Sequence, residues 1–67
     1  MNKKEQEFYK KIGAQIKRAR IAQGLTQRML AKKMGYARHT SIYFIEAGEN
    51  RIFLWEYLLF KKILVSL

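Results

Sequence analysis

The stretch GLTQRMLAKKMGYARHTSIYFIEAG, Gly24 to Gly48, decides the fold. Its three glycines, Gly24, Gly35 and Gly48, each close a segment of helical periodicity, and β-type alternation is nowhere sustained. Thr26 stands where a helix N-cap belongs, and QRMLAKKM follows it with Leu30 and Met34 on one face and Ala31 beside them. After Gly35, Ile42 and Ile45 define the inner face of a third helix that starts at Thr40 or a neighbour and ends by Gly48. Thr40, Tyr43, Phe44 and Ala47 then point outward, Ser41 lies to the side, and Arg38 and His39 fall at or before the first turn. Two short helices around a tight glycine connector, with a basic flank and an outward hydroxyl and aromatic face, have helix-turn-helix organisation. The second helix of such a pair fits a DNA major groove.

Upstream, Phe8, Ile12, Ile16 and Ala19 form one helical stripe within a segment running roughly from Lys3 to Gln23. Gly13 is off that stripe, and Gly24 is a natural helix stop. Downstream, the polar linker AGENRI leads to a fourth helix, expected at about 53–64. Its apolar residues cover almost the whole circumference, so it is buried on all sides or pairs with another chain. A chain this small lacks the bulk to bury it, which makes Trp55, Leu58 and Leu59 candidates for a subunit interface.

The 67 residues suit one domain, 1–67, with the helix-turn-helix at about 26–47. There is no cysteine, so neither a disulfide nor a thiolate metal site braces it. Fourteen Lys and Arg against five Glu give a net charge of +9, which favours an anionic partner, above all nucleic acid. Met1 leads into NKKEQEFYKK without an apolar leader segment, and Glu56, Lys61 and Lys62 interrupt the apolar C-terminal run. The expectation is a cytoplasmic, nucleoid-associated protein with no membrane span. His39 is the sole imidazole, with no nucleophile or carboxylate indicated beside it, so no catalytic residue, metal site or cofactor is expected.

Glu46 falls beside the inner face of the third helix, and Arg20 flanks the stripe of the first. A half-buried carboxylate in a cationic chain needs a partner, and a bidentate pair with Arg20 would pin the third helix to the first.

The segment IKRARIAQGLTQRMLAKKMGYARHTSIYFIEAG resembles the helix-turn-helix domain of the lambda repressor, Cro and Xre-type regulators. The resemblance is carried by Ile16, Arg20, Gly24, Leu25, Thr26, Gln27, Leu30, Ala31, Gly35, Ile42, Ile45, Glu46 and Gly48, all in one register. It implies an all-α, four- or five-helix fold and an interhelical ion pair between Arg20 and Glu46. It implies that Gln27 touches a phosphate or buttresses the reading side chains, and that His39, Thr40 and Ser41 meet bases. Tyr43 and Phe44 continue that surface, and Arg38 and Arg51 are candidate phosphate contacts. The implied function is a sequence-specific regulator, a repressor, binding an inverted-repeat operator on double-stranded DNA as a homodimer. The alternative is an antitoxin-like module that caps a protein partner. The chain departs from the family pattern in its basic helix 2, where Arg28 and Met29 replace common acids, and in Arg38, which cannot cap a helix as serine does.

Overall fold

The computed structural model describes all 67 residues and contains four helices: α1 (Lys3–Ala22), α2 (Gln27–Met34), α3 (Thr40–Glu46) and α4 (Leu54–Ile63). There is no strand, so the fold is all-α with four helices rather than five. The boundaries follow local chemistry. Asn2 accepts the Glu5 N–H at 2.8 Å while the Glu5 carboxylate turns back to the Asn2 N–H, closing a capping box on α1. Thr26 Oγ1 accepts the Met29 N–H at 3.0 Å at the start of α2. At the end of α2, Gly35 adopts φ +78°, and its N–H turns back onto the last carbonyls of the helix.

Each helix sends residues into one core. Ile16, Leu30, Ile42, Phe60 and Leu64 are fully buried, ringed by Ala19, Ala31, Met34 and Ile45. The core lies behind α2 and α3 and fixes the position of α3 from within.

Two features of α1 differ from the stripe expected of it. Phe8 is 57% exposed, whereas Gly13, Ile16, Ala19 and Arg20 are buried. The buried face is therefore rotated by roughly a sixth of a turn from the apolar stripe. Gly13 causes the rotation. A Cβ there would overlap the Ile45 carbonyl oxygen and lie 2.7 Å from that of Glu46. The absence of a side chain lets α3 approach the backbone of α1, and Arg20, two turns further on, faces the same neighbour.

The inner side of the fourth helix is not wholly apolar. Glu56 is buried beside Phe60. Its carboxylate accepts the Phe53 N–H at 2.9 Å, which caps α4, and the Tyr36 hydroxyl, which ties the helix to the turn between α2 and α3. Burial, together with that carboxylate, pushes the Tyr36 phenol well above its ordinary pKa. At the far end, the Gln23 side chain donates to the Ile63 carbonyl at 3.1 Å and accepts the Val65 N–H at 2.7 Å. No helix is long and apolar enough to cross a membrane.

Candidate nucleic-acid interface

The surface centred on α3 is built from below. Arg20 Nε donates to Glu46 Oε2 at 2.6 Å and its Nη2 to Glu46 Oε1 at 3.1 Å, a bidentate ion pair with both side chains almost wholly buried. Arg20 Nη1 also donates to the Leu25 carbonyl at 2.8 Å, so one guanidinium joins α1, the α1–α2 turn and α3. Gln27 Nε2 donates to Glu46 Oε1 at 3.1 Å. A carboxylate offers only acceptors, so the amide nitrogen of Gln27 must face it. No buried side-chain polar atom is left without a partner.

With Ile42, Ile45 and Glu46 turned inward, α3 presents its opposite side to solvent. Thr40, Tyr43 and Phe44 are exposed on that side, and Ser41 is half-buried at its edge. The rings of Tyr43 and Phe44 meet edge to face at 5.3 Å, forming one aromatic ridge. His39 occupies the position before α3, in helical backbone conformation, and its side chain makes no capping hydrogen bond. Arg38, just before it, is exposed. The helix thus starts at Thr40 without a side-chain cap, in line with the missing serine at position 38.

Several residues singled out in the sequence stand apart from this face or are already engaged. Gln27 spends one amide proton on Glu46 and is half-buried, so it buttresses the ion pair. Arg51 Nε is paired with Glu5 at 3.0 Å on an exposed surface near the start of α1. The Arg51 hydrogen bond, and next the Asn2 N–H, hold the Glu5 carboxyl below its usual pKa, and Arg51 is correspondingly raised. On α4, Trp55 and Leu58 are 59% and 56% exposed, but Leu59 is half-buried against the core. Leu59 therefore belongs mainly to the interior: its position on α4 points it toward the cluster around Phe60, while Trp55 and Leu58 point away.

Sequence reading passed over Tyr36, Glu56 and Gln23. The pairing of Glu56 with the N-cap position three residues earlier was visible in principle, since that spacing is what a helix start uses. The Tyr36 and Gln23 contacts join residues 20 and more apart and carry no local signature.

A helix-turn-helix family model matches residues 16–52, from the middle of α1 through α2, the turn and α3 into the linker before α4. No curated protein and no solved structure matches the chain. The family match spans more than half of the sequence and contains the Arg20–Glu46 pair, both capped ends of α2 and the outward face of α3. The chain belongs to the lambda repressor/Xre-type helix-turn-helix family of DNA-binding transcription regulators.

Proposed function

We propose that this protein is a sequence-specific regulator, acting as a repressor, that reads the major groove of double-stranded DNA with the outward face of α3. The observation that carries this reading is the contrast between the two sides of α3. The inner side is locked by Ile42, Ile45 and the Arg20–Glu46–Gln27 network, while the outer side exposes Thr40, Tyr43 and Phe44 with nothing from the chain covering them. A rigidly held helix with a short polar and aromatic outer face fits a groove that admits one helix. Thr40 supplies a hydroxyl to base edges or phosphates, and Phe44 supplies apolar contact to a thymine methyl. Ser41, His39 and Arg38 line the entry to that face. Arg51 adds a backbone contact through its terminal nitrogens, its Nε being held by Glu5.

A homodimer through the exposed apolar side of α4, centred on Trp55 and Leu58, would set two copies of α3 about 34 Å apart on an inverted repeat. Repression then follows from occupancy of the promoter. The test is a mobility-shift comparison of wild type with Thr40→Ala and Phe44→Ala. Both variants are expected to narrow the affinity gap between selected and scrambled duplexes by about tenfold or more, at roughly 1–3 kcal/mol per lost base contact. An unchanged gap in both would move the reading face elsewhere.

A second reading has one observation in its favour. A largely apolar groove lined by Phe8, Tyr9, Ile12, Ile52, Leu54 and Tyr57 runs between the first half of α1 and the start of α4. It lies mostly outside the family match and suits a protein partner, as in an antitoxin-like module whose DNA binding is autoregulatory. Co-purification of a second, stoichiometric polypeptide from the native host supports that reading, and a homodimer alone counts against it.

A further inference from the structure

The positive charge is unevenly opposed. No Asp or Glu occurs between Glu7 and Glu46, an interval that holds nine Lys and Arg. Only Arg20 among these nine is in an ion pair, since the two ion pairs of the molecule are Arg20–Glu46 and Arg51–Glu5. Some of the unopposed cations converge. An open depression of about 500 Å³ lies between α2 and the turn leading into α3, bordered by Arg28, Lys32, Tyr36, Arg38, His39 and Thr40. Arg28 and Lys32 form one wall, one helical turn apart on α2. Arg38 and His39 form the other.

Like charges four residues apart on a helix repel, and nothing in the chain offsets this pair. An anion seated in the depression would. Two features indicate which anion. Arg28, Lys32, Arg38 and His39 are all exposed, so the depression lacks the buried, hydrogen-bonded donors that hold a small free anion against water. Thr40 belongs both to its wall and to the outward face of α3, so whatever fills the depression is contiguous with whatever α3 touches. Solvent-exposed cations spread along an open channel suit a polyanion, whose condensed counterions are released on contact.

We propose that Arg28 and Lys32 are backbone-phosphate contacts, forming with Arg38 a three-cation clamp on the DNA strand beside the bases read by α3. The inference rests on the DNA-reading role of α3. It adds two residues of α2 to the interface and gives them a function distinct from base recognition. The basic residues at positions 28 and 32 are then a gain in sequence-independent affinity. They anchor the α2 edge of the domain and set the depth at which α3 enters the groove.

The experiment measures binding of a short duplex of arbitrary sequence by fluorescence anisotropy at a series of KCl concentrations. Wild type is compared with Arg28→Gln, Lys32→Gln and a control, Lys61→Gln, whose ammonium lies over the Tyr57 ring on α4. Arg28 and Lys32 make no side-chain hydrogen bond, and thermal melts of the variants are expected to overlay that of wild type. Each α2 variant should flatten the slope of log affinity against log salt by about 0.9, and Lys61→Gln should leave it unchanged. The ratio between preferred and scrambled duplexes should stay the same in all three. Slopes equal to wild type in both α2 variants overturn the clamp. A parallel titration with inorganic phosphate at constant ionic strength separates the sources. Saturable phosphate binding at Arg28 and Lys32, with no change in duplex slope, assigns the depression to a free anion and overturns the proposal. A wild-type protein that binds no duplex at any salt overturns the DNA-reading role itself, and the clamp with it.

Discussion

Gly13 illustrates how a single missing side chain sets the position of α3. By helix propensity alone, Gly13→Ala in the middle of α1 should stabilise the chain by about 1 kcal/mol. The structure reverses the sign, because the new Cβ would meet backbone atoms of Ile45 and Glu46 that have no rotamer to change. Gly13→Ala is expected to destabilise by about 1–3 kcal/mol in urea unfolding, the usual range for overpacking. This role was invisible in the sequence, where Gly13 merely interrupted a helix. At the surface, the Glu5–Arg51 pair gives a pH signature. The Glu5 pKa is lowered in the folded state. Its contribution to stability is therefore present above the unfolded-state value of about 4.3 and is lost as pH falls through the lower folded value. In an NMR titration Glu5 should titrate below an ordinary glutamate, and Arg51→Gln should move it up toward that value. An unchanged midpoint in the variant would remove Arg51 as the cause.

Among the elements, α2 and α3 were the most legible. Thr26, Leu30, Ala31, Met34, Gly35, Ile42 and Ile45 are local signals, and each acts within one turn of where it is read. The helix α1 was legible in extent but not in orientation. An apolar stripe marks the inner face only when the neighbouring helix is met by apolar residues, and α3 is met by Gly13 and Arg20. Phe8 stays on the stripe yet is exposed, because it borders the open groove between the first half of α1 and the segment from Ile52 into α4. For α4 the apolar count hid the decisive residue, Glu56, whose buried carboxylate is matched by Tyr36 and by the α4 N-terminus. The bond between elements that matters most for α3 is Arg20–Glu46. Glu46→Ala strands a buried guanidinium, and the expected loss is about 3–5 kcal/mol in chemical denaturation. For a chain of this size that is comparable to the whole stability supplied by one core. A loss under about 1 kcal/mol would match an exposed pair and contradict the burial described.

At the scale of the whole molecule, two exposed surfaces lie on different helices. The clamp and the outward side of α3 form one basic and aromatic surface, whereas Trp55 and Leu58 carry the exposed apolar side of α4. The core centred on Phe60, the Tyr36–Glu56 bond and the Gln23 clasp on the end of α4 hold the second surface at a fixed angle to the first. A partner bound through α4 would therefore set where α3 points. Trp55→Lys is expected to shift the protein toward monomer in sedimentation equilibrium, at protein concentrations where wild type is dimeric. Its affinity for an inverted repeat should fall more than its affinity for a single half-site. Equal losses on both would place the two-fold contact elsewhere. The most direct test of the central claim is selection of duplexes from a random-sequence pool by wild-type protein and by the Thr40→Ala/Phe44→Ala double variant. The account predicts that wild type enriches one inverted-repeat sequence and that the double variant retains duplex binding but loses the preference. Enrichment of the same sequence by both proteins, or of none by wild type, would contradict it.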